Sequence, residues 1–168
     1  LTKWFTLLFS ADVGYGLDIG DTTSIPPYRR FYAGGPESVR GFQESRLGPK
    51  DSFGNPYGGN LRTVMQTELL LPMPQKFRNS ARFSIFLDAG NTFSTDSTTY
   101  VGRDGITPVD YEFSFDKIRY STGVAVQWLA PLGVFRFSYA VPLNAVDAKG
   151  VEYADETEGF QFSIGQAF

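Results

Sequence analysis

The residues available for chemistry in this chain are carboxylates, hydroxyls and basic side chains, because its 168 residues include no His and no Cys. Imidazole general bases, thiol nucleophiles, disulfides and the usual zinc or haem ligand sets are therefore excluded. Ser, Asp and Glu occur without a His to activate them, and no Gly-Lys-Ser/Thr loop is present to cradle a phosphate. We predict that the protein is not an enzyme, and that it uses no metal and no cofactor.

The segment 30–42, RFYAGGPESVRGF, mixes aromatic residues, glycines and an arginine in a way that is unusual for a surface loop. Gly34, Gly35 and Gly41 permit positive φ or a close backbone approach, and Pro36 stiffens the turn. These residues predict a loop that folds back and packs against the rest of the molecule. The alternative is a solvated hairpin connection in which the glycines are incidental.

Charge and hydropathy narrow the choice of partner. The net charge is -3 with a pI near 4.9, which gives no basic field for nucleic acid. Mean hydropathy is -0.19, and no run approaches the roughly 18 apolar residues of a membrane helix. A membrane β-strand is apolar only at every second position, so this hydropathy does not exclude a β-barrel.

Period-two alternation recurs in about six segments, whereas helical spacing fits almost nowhere. Each segment is near the 9 to 11 residues that a tilted strand needs to cross a membrane. The second and third segments place Glu68 and Asp88 on the polar faces of consecutive strands. The sequence predicts an all-β fold, an antiparallel meander of about six strands.

The two faces of these strands differ in a way that favours a membrane barrel over a soluble β-sandwich or lectin-like domain. The polar faces carry small residues and isolated charges, as a barrel lumen does, and the apolar faces are large and aromatic. The aromatics predicted to form an interfacial girdle are Tyr15, Tyr120, Trp128, Tyr139 and Phe168. Long and short connections alternate, and residues 19–60 form the longest, so both chain ends are expected on the periplasmic side.

Six strands are fewer than the roughly eight of the smallest single-chain barrels, and an open sheet would leave two unpaired edges in hydrocarbon. We therefore interpret residues 1–168 as the C-terminal portion of a larger barrel domain, which begins here inside a strand. The chain alone is expected to self-associate through its edges.

Six motifs in order give the chain a resemblance to a known family: FYAGG at 31–35, VRGF at 39–42, GGN at 58–60, FLDAG at 86–90, WLAPLG at 128–133 and FQFSIGQAF at 160–168. The chain resembles the C-terminal part of the barrel in the BamA family, the central subunits of the outer-membrane β-barrel assembly machinery. TamA and the two-partner secretion transporters share a version of the VRGF loop, so a polypeptide translocator of either type is the alternative.

The resemblance implies a function: folding and insertion of β-barrel proteins into the cell outer membrane. The implied partners are the remaining barrel strands and periplasmic domains of the same protein, the assembly-machinery lipoproteins, unfolded outer-membrane protein clients and the lipid bilayer. No nucleic acid is expected. A passive porin is a weaker candidate, because a Gly-rich inward loop would act as a plug.

The resemblance also assigns residues. In that family the loop enters the barrel lumen, and the Arg of its motif, here Val39, Arg40, Gly41 and Phe42, meets acids on the inner wall, here Glu68 and Asp88. The terminal strand carries an assembly signal and borders a lateral gate, and its residues here are Phe160, Phe162, Ile164, Gly165 and Phe168. Gln166 departs from the apolar pattern, and Gly165 is a candidate weak point in the strand.

Overall fold

The computed structural model describes residues 5–17, 25–95, 100–150 and 152–165. Within those ranges it contains strands and short 3₁₀ turns at Pro27–Arg29 and Phe115–Lys117, but no α-helix. The strands are β1 (Thr6–Tyr15), β2 (Gly41–Phe42), β3 (Leu61–Leu71), β4 (Ala81–Phe93), β5 (Tyr100–Val101), β6 (Pro108–Val109), β7 (Arg119–Ala130), β8 (Gly133–Pro142), β9 (Thr157–Glu158) and β10 (Phe160–Gly165). No helix in this described part is long and apolar enough to cross a membrane.

Six long strands form one antiparallel sheet in the order β1-β3-β4-β7-β8-β10. Every neighbour in the sheet is the next long strand along the chain, so the sheet is a meander, and it does not close on itself. The predicted all-β meander of six strands is therefore confirmed. Four short strands lie outside this sheet, as the pairs β2-β9 and β5-β6.

The connections between strands alternate in length, and the long ones all lie at the same end of the sheet. Residues 16–60, 94–118 and 143–159 join strands at that end, whereas residues 72–80 and 131–132 make short turns at the other. A tight turn is enough to join two antiparallel strands that are neighbours in a sheet. The long segments therefore contain more residues than the connection needs, and these residues can pack against other parts of the molecule.

The two faces of the sheet have opposite environments. The apolar face is exposed along its length, with the large exposed side chains Phe9, Val13, Met65, Ile85, Leu87, Val126, Trp128, Tyr139, Phe160, Phe162 and Ile164. The opposite face carries buried small or polar residues, including Ser84, Ser121, Ala125, Ser138 and Ala140. A water-soluble sandwich would bury the apolar face. This sheet is organised in the reverse sense, as a sheet with lipid on one side is.

The long connection 25–60 covers the polar face. Antiparallel bridges Phe31↔Gly59 and Ala33↔Leu47 fold it into an irregular hairpin. Its apolar residues Ala33, Val39, Phe42 and Leu47 cluster with Val64, a residue of β3. The positive φ values of Gly34, Gly35 and Gly41, 99°, 98° and 87°, agree with the prediction of a loop that folds back on itself.

Four of the five predicted girdle aromatics, Tyr15, Tyr120, Trp128 and Tyr139, are exposed on the apolar face. The fifth, Phe168, lies outside the described residues, as do Gln166 and residues 19–24 of the predicted 19–60 loop. The last described strand, β10, ends at Gly165.

We expect Ile85→Arg to destabilise the protein in a bilayer by about 2–4 kcal/mol, because Ile85 lies on the exposed apolar face of β4 and a charged side chain there would face hydrocarbon. Ser10→Arg is the matched control, because Ser10 is exposed on the polar face of β1 and its sheet partner is the uncharged Gln66. The measurement is the urea midpoint of the full-length protein in lipid vesicles. Equal shifts for the two variants would contradict the assignment of faces.

The isolated 168-residue chain is expected to form oligomers in detergent-free buffer. Both β1 and β10 are edges of the sheet, and unpaired edges together with an exposed apolar face drive association. Size-exclusion chromatography with light scattering measures the mass. A monodisperse monomer is the result that would contradict this expectation.

Candidate functional site

The site is formed where the long connection meets β3 and β4. Arg40 immediately precedes β2, while Glu68 and Asp88 project from the middle of β3 and β4. In the register of the sheet Glu68 pairs with Phe86, and Gln66 pairs with Asp88. Side chains alternate between faces with a period of two. The two carboxylates therefore lie on the same face, diagonally offset across neighbouring strands.

Gly41 lets the loop approach the sheet closely. Its φ is 87°, a left-handed conformation that a residue with a Cβ adopts at a penalty. A Cβ at this position would lie 3.0 Å from the Cβ of Ala140 on β8. Glycine therefore has two roles at position 41: it allows the chain to reverse direction, and it leaves space for Ala140 beneath it.

The Arg40 side chain engages both carboxylates. Its Nε donates to Asp88 Oδ2 at 2.7 Å and its Nη2 donates to Asp88 Oδ1 at 2.8 Å, which is a bidentate fork. The remaining Nη1 donates to Glu68 Oε1 at 2.5 Å. The backbone N–H of Arg40 also donates to Asp88 Oδ2, at 3.1 Å. The planar guanidinium satisfies this geometry, and an ammonium group cannot.

The cluster is largely buried. Asp88 is 0% exposed and Arg40 is 5% exposed, and Ser84 Oγ donates to the second oxygen of Glu68 at 3.3 Å. Burial disfavours the charged guanidinium, but the hydrogen bonds and charges of Asp88 and Glu68 outweigh that effect and raise the pKa of Arg40 above its usual value. The arginine therefore stays charged, and removing Asp88 would leave the buried guanidinium with Glu68 as its one remaining carboxylate partner in the cluster.

Phe86 contributes a contact that the alternation pattern did not indicate. The Cζ atom of Arg40 lies 3.6 Å from the centre of the Phe86 ring, a cation–π arrangement. Phe86 faces the polar side of β4 and is 2% exposed. A Cβ on Gly123 of β7 would lie 2.9 Å from this ring, so the glycine makes space for it. The only sequence signal was a large aromatic on a face of small residues.

The loop also contacts the terminal strand. Gln161 of β10 donates from Nε2 to the Phe42 carbonyl oxygen at 2.7 Å, and its Oε1 accepts from the Gly41 N–H at 3.2 Å. Residues 41–42 additionally pair with Glu158 and Thr157 as β2 with β9. The sequence placed Gln161 on the polar face but assigned it no partner.

The remaining predicted residues have different environments. Val39 and Phe42 are fully buried in the apolar cluster of the loop. Phe160, Phe162 and Ile164 are exposed on the apolar face, and Gly165 is the last residue of β10. Among the residues that the structure describes, no group of three His, Cys, Asp or Glu could hold a metal ion. The described cluster binds a segment of its own chain, so it acts as an anchor for the loop.

Comparisons with known proteins identify the family of the chain. The Omp85 superfamily domain matches residues 2–168. The chain is 38% identical to the outer membrane protein assembly factor BamA of Neisseria meningitidis over 100% of this chain and 22% of that protein. It is 24% identical to the sorting assembly machinery 50 kDa subunit of Saccharomyces cerevisiae, over 98% of this chain and 32% of that protein.

A solved structure gives the same fold. The crystal structure of BamA from Haemophilus ducreyi lacking POTRA domains 1–3 superimposes with a TM-score of 0.76 at 30% identity. The match covers 94% of this chain and 30% of that one. The chain therefore spans less than a third of the length of this structure and corresponds to part of its barrel.

We expect Arg40→Ala and Asp88→Ala each to release the loop from the sheet. Breaking a buried ion pair typically costs about 3–5 kcal/mol, which would raise the exposure of the loop by roughly a hundredfold or more. Trypsin cleavage after Lys50, which is buried within the same loop, measures this release in the full-length protein. Arg40→Lys should give an intermediate rate.

Arg29→Ala is the control, because Arg29 is an exposed arginine of the same loop. Its cleavage rate should match that of the unmodified protein. If the Asp88→Ala protein were cleaved as slowly as the Arg29→Ala protein, the ion pair would not be the anchor of the loop.

Proposed function

The chain belongs to the Omp85 superfamily, and from that premise we propose that it is the C-terminal barrel segment of an outer-membrane protein assembly factor. The protein would fold and insert β-barrel proteins into the outer membrane. Two similar proteins support this proposal: one is named as an outer membrane protein assembly factor and the other as a sorting assembly machinery subunit.

The observation that carries the proposal is the loop that is held to the sheet by a buried cluster and also contacts the terminal strand. Arg40 attaches the loop to β3 and β4 through a buried cluster. In the sheet β10 pairs with β8, and its other edge would border the first strand of the complete barrel. A loop anchored to the sheet and in contact with β10 can position the edge at which a client strand would be added.

The mechanism we infer is templating by backbone hydrogen bonds. In hydrocarbon an unpaired N–H or C=O group is costly, so a client strand gains strongly by pairing with an exposed edge. The edge of β10 would form one side of a lateral gate, and the first strand of the complete barrel would form the other. No nucleotide is needed, since pairing and burial in lipid provide the free energy.

The loop would lie in the barrel lumen in this proposal. It covers the polar face of the sheet, which is the inner face if lipid contacts the apolar face. There it would plug the barrel and hold the wall next to the gate in shape. Gly165, at the end of β10, would weaken the pairing of the strand, because a strand glycine has no side chain to pack. Phe168 would complete the terminal signal.

Other partners follow from the same proposal. The remaining strands of the barrel would pair with the free edge of β1, which is the other open edge of the sheet. Periplasmic domains of the same protein and assembly-machinery lipoproteins would deliver unfolded clients to the gate. The exposed apolar face would contact the lipid bilayer.

We expect a photoreactive residue at Ile164 to crosslink to client strands during assembly in cells. Ile164 lies on the edge strand β10 with its side chain exposed on the apolar face. Ile85 is a matched control: it is exposed on the same face, but β4 is paired on both sides, by β3 and by β7. Adducts detected by mass spectrometry should therefore contain clients at position 164 and not at 85.

Arg40→Ala should reduce both the client adduct at position 164 and the level of assembled outer-membrane proteins. Client adducts of equal yield at positions 85 and 164 would contradict templating at the edge of β10. Normal assembly by the Arg40→Ala protein, with its loop shown to be released, would contradict the role proposed for the loop.

A further inference from the structure

Gln161 binds the loop as a neighbouring strand would. It is 3% exposed and lies on the polar face of β10, opposite Ser138 of β8. Its amide donates to one loop backbone group, Phe42 C=O, and accepts from another, Gly41 N–H. A side-chain amide carries one donor group and one acceptor, so both ends of this amide are used. The two residues it contacts follow Arg40 directly.

The neighbouring contacts connect the same loop segment to the same strand. The Glu37 carboxylate accepts from Arg136 Nη1 at 2.8 and 3.0 Å and from Ser163 Oγ at 2.9 Å. The Gln43 N–H donates to the Glu156 carbonyl at 2.8 Å, four residues before β10 begins. Residues 37–43 are thus attached to β3 and β4 on one side and to β8 and β10 on the other.

These contacts differ in how far they are exposed to solvent. The Glu37–Arg136 pair is substantially exposed, and exposed ion pairs contribute little and are screened by salt. The two hydrogen bonds of Gln161 are buried, and loss of a buried hydrogen bond is costly because water does not replace it. Phe42 C=O would keep the Gly35 N–H as a second donor at 2.9 Å. Gln161 is therefore the buried side chain through which the loop holds β10 itself, beside the backbone pairing of residues 41–43 with residues 156–158 just before β10.

We propose that Gln161 is a positioning residue for the terminal strand: it couples the seating of Arg40 on β3 and β4 to the pairing of β10 with β8. While Arg40 is bound, residues 41 and 42 are fixed, and their backbone groups hold β10 in register. When the loop leaves, Gln161 loses both partners, and among the described strands β10 is then held by its ladder with β8, which is six residues long. The purpose of this coupling, control of the edge offered to clients, rests on the proposed function.

The chemistry at position 161 is specific. Leucine has a similar volume but would leave Gly41 N–H and Phe42 C=O without this partner. Glutamate keeps an acceptor for Gly41 N–H, but its carboxylate has no proton to donate to Phe42 C=O. Asparagine keeps the amide but is one methylene group shorter. All three substitutions should loosen β10, with asparagine the mildest.

The test is hydrogen exchange measured by mass spectrometry on the full-length protein in lipid nanodiscs, for the segments 38–42 and 160–165. We expect Gln161→Leu to raise the exchange rate of segment 160–165 by about tenfold, because two buried hydrogen bonds are lost. The matched control is Gln127→Leu, the same substitution on the polar face of β7. Gln127 lies four positions along β7 from Gly123, and the sheet partner of Gly123 is Ala140, the residue beneath Gly41.

The decisive comparison is the double variant. If Gln161 acts through the seated loop, Gln161→Leu should add less than about twofold to the exchange of segment 160–165 when Arg40→Ala is already present. If Gln161 only packs within the sheet, its effect will be the same with and without Arg40, and the proposal is overturned. Unchanged exchange in Gln161→Leu overturns it as well. Should Gln161→Leu fail to fold, Gln161→Asn is compared in the same two backgrounds.

Exchange and client crosslinking fail independently. If the double variant shows additivity while Arg40→Ala still reduces client adducts, only the coupling through Gln161 is overturned. If the coupling is observed but position 164 captures no client, the proposed function falls and the positioning role of Gln161 in the barrel remains.

Discussion

A buried guanidinium attaches the long connection to β3 and β4, and the arrangement around it depends on that contact. Arg40 donates hydrogen bonds to Asp88 from its backbone N–H and its side chain, and to Glu68 from a further side-chain nitrogen. Its guanidinium lies over the ring of Phe86. A charge removed from water is tolerated only when its partners and geometry compensate for the lost hydration. The cluster therefore fixes the loop in one position, whereas apolar contacts alone would tolerate sliding.

The polarity of the sheet explains why such a cluster can exist. A soluble fold buries apolar side chains, and a buried ion pair then competes with better packing. Here the large apolar residues point outward, and small and polar residues lie beneath the loop. Ser84, Gln66 and the carboxylates are available on that inner face because lipid contact, rather than core packing, accounts for the hydrophobic residues. The loop supplies the missing apolar cluster through Val39, Phe42 and Leu47.

The loop joins distant strands of the sheet. β3 and β4 lie near one edge, while β8 and β10 lie at the other. Contacts of Arg40 on one side and of Gly41 and Phe42 on the other allow seven consecutive residues, 37–43, to bridge them. Few backbone torsions separate the contacts of Arg40 from those of Gly41 and Phe42, so we expect a displacement of one contact to shift the other.

The sequence by itself determined the strands, their order and the face on which Glu68 and Asp88 lie, because alternation with a period of two is a local property of the chain. Similarity of motifs supplied the pairing of Arg40 with these acids, and alternation alone did not. Only the tertiary structure decided that Phe86 lies under the guanidinium, that Gln161 holds residues 41 and 42, and that β9 pairs with β2. These contacts join residues up to 120 positions apart, and no local pattern encodes which distant partner a side chain will meet.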